Sequence, residues 1–284
     1  RESNSPDAPL TRMASGTENV NDAAVAEFDP TLLLNGQYTI YLQATDEGGN
    51  TVDDSVVVRV TGDMKIGNFS LTFEEVSIPV AGIPVTVSRT YDTRRRNETL
   101  DFGHGWSIDY QNVRIHESTK LGFSWQIREV RNGVLTHFCN ESNGDRVVTV
   151  TLPDGSVESF RAVAVPHCNL AVPEPNVHLA FEPIDGTDST LEQSSYGLLR
   201  LQTIAGFPGM MTLIDLSSAE APVDPSVYTL TLPEGLVYEL DQDFGIRRVV
   251  DLDGNFLEYS EGGVEHSSGI GIDFERDEIG RAHV

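Results

Sequence analysis

Apolar and polar residues alternate with a period of two along much of this chain, the spacing of strands that bury one face. From Phe28 the pattern sharpens: Tyr38, Ile40, Leu42 and Ala44 alternate with Thr39, Tyr41 and Gln43. Asp46-Glu-Gly-Gly-Asn50 follows, and its Gly and Asn residues suit the positive φ values of a tight reversal. Val56, Val58 and Val60 then alternate with Val57 and Arg59, which predicts a hairpin. Residues 1–27 are polar and turn-rich, with one short alternating piece, Leu10-Thr-Arg-Met13, that predicts a strand. Further on, Val85 and Val87 mark a strand, with Pro79 and Pro84 at its ends and Gly82 in a turn. Trp106 stands between Gly105 and Ser107, a large apolar face beside a glycine that lets another backbone approach.

The later chain repeats itself. Thr149-Val-Thr-Leu-Pro-Asp-Gly-Ser-Val-Glu-Ser-Phe160 and Thr229-Leu-Thr-Leu-Pro-Glu-Gly-Leu-Val-Tyr-Glu-Leu240 align at an offset of 80 residues. Each reads as a strand, a Pro-acidic-Gly reversal and a return strand. Duplicated hairpins point to a repetitive architecture whose neighbours bury each other's faces. Strands are also expected over Val177 to Phe181 and Leu198 to Ile204, with Glu182 to Ser195 as a polar loop. The fold class is therefore all-β, built from antiparallel hairpins.

A length of 284 residues predicts one to three domains, and 39% hydrophobic residues suffice for a packed core. Charge narrows the partners: 44 acidic against 19 basic residues give a net of −25. Such a surface repels phosphate backbones and anionic headgroups, which argues against nucleic acid and membrane partners. No apolar run approaches the roughly 20 residues that span a bilayer. The chain begins at Arg1 and reads as a piece of something longer, so it carries no information about targeting.

The sequence contains no phosphate loop, nucleophile elbow, His-Glu-x-x-His or dinucleotide fingerprint, so an enzyme is not expected. Calcium is the one cofactor the acidic loops leave open. In Asp251-Leu-Asp-Gly-Asn255 the candidate ligands are Asp251 and Asp253, but glycine falls fourth where an EF-hand loop wants it sixth. Asp46 with Asp53 and Asp54 forms a second acidic group; for both, a turn is the competing reading. Cys139 and Cys168 are open to a disulfide or to two separate buried thiols. A zinc set with His137 and His167 would need His-x-Cys and His-Cys spacing, outside the usual ligand patterns. Arg94-Arg-Arg96 reads as a solvated hairpin tip, with a processing site or acidic contact as the alternative. Asn68, Asn97 and Asn140 head glycosylation sequons, relevant only in a eukaryotic secretory pathway.

Two resemblances add to this. Leu34-Asn-Gly-Gln-Tyr38 resembles the tyrosine corner of immunoglobulin-like sandwiches, and Asp46 to Asn50 resembles their F–G turn, which makes residues 1–61 a partial module of that kind. Thr61-Gly-Asp63 reads as a junction. Beyond it come Gly67-Asn-Phe69, Pro79-Val-Ala-Gly-Ile-Pro84, Arg89-Thr-Tyr91 and Gly103-His-Gly-Trp106. This order resembles the segment that opens the repeat shell of Rhs and other YD-repeat proteins, and assigns residues 62–115 to it. Tyr238-Glu-Leu-Asp-Gln-Asp-Phe-Gly245, Asp251-Leu-Asp-Gly-Asn255 and Phe274-Glu-Arg-Asp-Glu-Ile-Gly-Arg281 resemble YD repeats. Residues 116–284 thus read as hairpins leading into such repeats and cut at the C-terminus.

The resemblance implies a non-catalytic part of a large secreted or cell-surface protein, of bacterial type. It would start a β-shell that encloses or displays a C-terminal effector. Its partners would be the remainder of its own polypeptide and a cell-surface ligand. Structural positions on this reading are Tyr38, Tyr91, Gly103, Gly105, Trp106, Gly245, Asp251 and Gly254, with Phe102, Tyr110, Trp106 and Trp125 as packing anchors. The alternative is an adhesin or carbohydrate-binding module. An exposed row of Trp and Tyr would favour the alternative, and burial of Trp106 and Trp125 the shell.

Overall fold

A computed structural model describes residues 10–18, 23–33, 36–46, 48–60, 70–203, 210–216, 222–276 and 282–283. All of its sheets are antiparallel, and one of them curls into half a barrel. The only helical pieces among the described residues are three single 3₁₀ turns. None is long or apolar enough to cross a membrane.

β1 (Gly36–Thr45) and β2 (Thr51–Val60) form the expected hairpin, in the register Tyr38↔Val58. Its base is tied to the body of the molecule by Arg59, whose Nη1 donates to Ser159 Oγ at 2.6 Å and lies 3.4 Å from Asp185. β3 (Ser70–Ile78) and β4 (Val85–Asp92) pair next, with a bulge between Glu74 and Val76. A minor hairpin, β5 (Thr99–Leu100) and β6 (Gly103–His104), leads to β7 (Trp106–Ile108), which completes a three-stranded sheet with β4. The strand marked by Val85 and Val87 is the central one, and both valines are buried.

Nine strands make the largest sheet: β8 (Arg114–Glu117), β9 (Trp125–Asn132), β10 (Leu135–Ser142), β11 (Val147–Thr151), β12 (Val157–Val165), β13 (Cys168–Leu170), β14 (Asn176–Ile184), β16 (Leu199–Thr203) and β17 (Met211–Asp215). Their spatial order is 13-10-9-17-16-14-12-11-8. After β14 the chain leaves this sheet to place β15 (Thr190–Gln193) at the edge of a second one. The second sheet continues through β18 (Val227–Thr231), β19 (Val237–Asp241), β20 (Gly245–Val250), β21 (Phe256–Ser260), β22 (Gly263–His266) and β23 (Gly271–Asp273), in that order. β24 (Glu275–Arg276) and β25 (Ala282–His283) form a last small pair. One apolar cluster joins the three-, nine- and seven-stranded sheets. Val87 and Ile108, Phe160 and Leu179, and Tyr228 and Leu257 belong to it, and the Phe181 and Tyr228 rings meet edge-on at 5.8 Å.

A single turn recurs through the fold. In 46–50, 152–156, 232–236, 251–255 and 266–270 the first residue's N–H donates to the fifth carbonyl, and the fourth N–H donates back to the first. The fourth residue is glycine in each, with φ between 81° and 92°. This is the three-residue hairpin loop that ends in a left-handed residue, where a side chain would be strained. The duplicated hairpins close on it in matching register, Thr151↔Val157 and Thr231↔Val237.

Two expectations change, and one open alternative is decided. Leu10 to Met13 is not a strand; the segment is exposed and no neighbour offers it a ladder, without which an extended backbone is left unpaired. Glu182 to Ser195 is not all loop. β14 runs to Ile184, and β15 buries Leu191 between exposed Thr190 and Glu192, a strand too short to declare itself by periodicity. Cys139 and Cys168 are directly opposite in the β10–β13 pair and are disulfide-bonded, which removes both the free-thiol and the zinc readings. Junction residues 61–69, Leu34, Asn35, Ile204 and 277–281 lie outside the described residues, so the predictions that fall on them are not addressed.

β13 has only three residues and one neighbour, so the crosslink holds an edge that few hydrogen bonds would keep. Reduction is expected to raise hydrogen exchange at His137–Cys139 and Cys168–Leu170 while protection in β18 to β20 is unchanged. Uniform loss of protection would show instead that the crosslink supports the whole body.

Candidate functional site

With no catalytic constellation in the sequence, the place to look is where the early segment meets the repeats. β7 runs into a 3₁₀ turn, Asp109–Gln111, fixed from both ends. Thr90 Oγ1 donates to Asp109 Oδ1 at 2.8 Å, and Ser107 Oγ donates to Asn112 Oδ1 at 2.7 Å. This turn projects Tyr110 into the second sheet. The ring is 4% exposed and packs on Phe244 at 5.7 Å and Tyr259 at 4.9 Å between centroids. Its hydroxyl donates to the Ser260 carbonyl at 3.0 Å, closing a contact between residues 150 apart in sequence.

Two glycines make the approach close enough. Gly245 has φ +99°, and a Cβ built there would lie 2.3 Å from the Tyr110 carbonyl oxygen. On the other side of the contact, a Cβ on Gly82 would meet Asn255 Nδ2 at 2.3 Å and Asp251 Oδ2 at 2.5 Å. Tyr110, Gly245 and Asp251, each singled out in the sequence, therefore belong to one seam.

The other sequence-predicted positions do not converge there. Trp106 is half-buried within the three-stranded sheet, against Tyr91 at 5.2 Å and Phe73 at 5.9 Å, with the Arg89 guanidinium over its face. Gly105 admits the edge of Tyr91, 2.8 Å from where its Cβ would be. Phe102 packs half-buried against the main core. Trp125 lies in the nine-stranded sheet, 1% exposed, donating to the Leu121 carbonyl at 2.7 Å under the buried Arg146. Gly103 and Gly254 have open space where a Cβ would go. Tyr38 is buried near the start of β1.

The acidic loops are accounted for by the recurring turn. Asp251 accepts from the backbone N–H of Asp253 and Asn255 and from Asn255 Nδ2, and these bonds hold its carboxyl below the usual range. Asp46 is engaged in the same way by Asn50, while Asp53 accepts from Gln43. No group of three or more metal-ligating side chains occurs among the described residues. The Asn140 amide is buried and donates to the Pro166 and Glu174 carbonyls at 2.8 and 3.1 Å, so this sequon presents no acceptor on the folded surface.

A second contact between the sheets had no signal in the sequence. Glu117, at the end of edge strand β8, accepts from the Tyr228 hydroxyl and from Gln242 Nε2 at 3.2 Å. Burial raises Glu117 to about 7, with the nearby Asp224 adding to the effect; the Tyr228 bond opposes it. Next to it, burial alone lowers His116 to about 4, and neither ring nitrogen has a hydrogen-bond partner among the described residues. Arg146 is 1% exposed and donates to the Lys120 and Ser124 carbonyls at 3.0 and 3.2 Å; burial lowers it to about 10.

A family model described as a domain of unknown function, DUF6531, matches residues 63–130. The match contains the three-stranded sheet, the turn that carries Tyr110, and Trp125. No curated protein matches the chain.

Proposed function

We propose that this chain forms the opening section of a β-shell in a large secreted or cell-surface protein of the Rhs/YD-repeat type, and that its role is mechanical. On this reading residues 63–130 are a docking piece and the hairpins that follow are wall. The observation that carries it is the seam: a tyrosine from the matched segment is wedged into a sheet made of successive hairpins closed by one repeated turn. Sheet extension from hairpin to hairpin covers each strand edge with the next, which is how a wall grows without exposed edges. The motifs of 62–115 that resemble an Rhs shell opening fall largely within the family match, which supports the same reading. Burial of Trp125, and of half of Trp106 under Arg89 and Tyr91, argues against a row of aromatics for stacking sugars.

The test uses the parent protein. Its reading frame should continue beyond Val284 with further hairpin repeats and then an unrelated C-terminal domain. In limited proteolysis that domain should survive intact in the wild type and be cut rapidly once Tyr110→Ala loosens the seam. Equal cleavage in both proteins, or a stop codon shortly after Val284, would overturn the proposal.

A further inference from the structure

The duplicated hairpins bring their turns together. Leu152, Pro153 and Asp154 from one, and Leu232, Glu234 and Leu236 from the other, line the same cleft of about 390 Å³ beside the Tyr110 seam. Its deep side is apolar, with Val87, Leu152, Ile246 and Val249 all buried. Two tyrosines, Tyr238 and Tyr259, form half-buried walls, and Asp109, which accepts from Thr90 of β4, lines the same space. Asp154 and Glu234, at the same position of the two repeats, are exposed at the mouth.

The charges are one-sided. No lysine, arginine or histidine lines the cleft. Burial raises Asp109, Tyr238 and Tyr259; the Glu234 and Asp154 carboxylates push Tyr238 further up, and Asp109 pushes up Tyr259, which also interacts with Tyr238, so the three acids flank one tyrosine pair. A bare divalent metal would want six or more oxygen ligands and gains nothing from an apolar floor. A cation with a hydrocarbon stem matches both halves: carboxylates and tyrosine faces for the charge, and the valine and leucine side for the stem. The volume is at the small end of ligand sites.

We propose that this cleft binds an organic cation carried on an apolar stem, a guanidinium or alkylammonium group, with its head among Asp109, Asp154 and Glu234. The site is independent of the shell reading, since it needs only the folded chain.

The test is titration of the full chain, with tyrosine rings labelled for NMR, by butylguanidinium and by its neutral isostere butylurea. Saturable shifts of Tyr238 and Tyr259 are expected with the cation, and about tenfold weaker binding of the urea. The Asp154→Asn/Glu234→Gln double variant should weaken cation binding by about tenfold at an unchanged thermal midpoint. Glu234→Gln alone, at an exposed turn position, supplies the same comparison should the double variant fold poorly. An acetylated Gly-Arg-Gly amide that binds more tightly than butylguanidinium assigns the cation to a peptide side chain; weaker binding assigns it to a free small molecule. Absence of saturable shifts, equal binding of butylurea, or unchanged affinity in the variants overturns the proposal.

Discussion

Replacing Gly245 with alanine is expected to destabilise the fold by about 3–5 kcal/mol, combining backbone strain with a steric overlap in the seam. The residue sits at φ +99°, outside what an L side chain adopts easily, and its new methyl would lie 2.3 Å from the Tyr110 carbonyl. That neighbour is backbone, so it cannot swing aside as the end of a side chain would. Either the 3₁₀ turn moves off the sheet or β20 does, and both break the contacts of Tyr110 with Phe244 and Tyr259. Gly254 supplies the control. It has φ +85° with nothing within 4 Å of a Cβ, so the same substitution should cost only the left-handed backbone penalty of about 1–2 kcal/mol. Tyr110→Ala should fall in the range of Gly245→Ala, since it removes a buried aromatic ring. Denaturant midpoints at constant m-value measure all three. If Gly245→Ala and Gly254→Ala cost the same, close approach at the seam contributes nothing and only backbone conformation matters.

These residues also show what was legible in the sequence. The recurring turn was, because glycine in the fourth place is a local requirement of backbone conformation: Asp46 to Asn50, Pro153-Asp-Gly155 and Asp251 to Asn255 all read as reversals. The duplicated hairpins were legible for the same reason. Tyr110 and Gly245 could each be flagged, one as a large aromatic and one as a glycine in a repeat, but no local signal says that they touch. Strand order was equally hidden. Period-2 alternation tells which face is buried and not which strand lies alongside, so the return of β9 and β10 to the far side of the nine-stranded sheet, next to β17, had no trace in the chain. The buried polar residues were missed because β8 breaks the alternation. Ile115 and His116 are both buried, as happens when an edge strand is covered on two sides, while a period-2 reading turns one of them outward.

That edge strand gives a pH dependence made of two opposing parts. Glu117 titrates at about 7 in the folded chain against 4.5 for a free carboxyl, so folding favours its protonated form. Its stabilising contribution is complete below pH 4.5, declines as pH rises, and is gone above about 7, a change of roughly 3 kcal/mol. His116 is the mirror case, at about 4 folded against 6.5 free, so its contribution is complete above pH 6.5 and is lost as pH falls towards 4. Between pH 4.5 and 6.5 the two slopes cancel. The wild-type unfolding free energy should therefore be nearly flat there, although two buried groups titrate anomalously. Single substitutions separate them. Glu117→Gln keeps a neutral hydrogen-bonding group opposite Tyr228 and exposes the histidine slope, so its stability should rise by roughly 3 kcal/mol from pH 4 to 6.5. His116→Leu removes the opposite slope, so its stability should fall by a similar amount from pH 4.5 to 7. Asp224, Lys120, Arg146 and Tyr196 also act on the Glu117–Tyr228 pair, but they stay in place in both variants and cancel from the comparison. Urea unfolding at half-unit pH steps reads the three profiles. A wild type whose stability already rises by several kcal/mol across this window, or a Glu117→Gln profile parallel to it, would mean that the β8 acid is ionised and solvated in the folded chain.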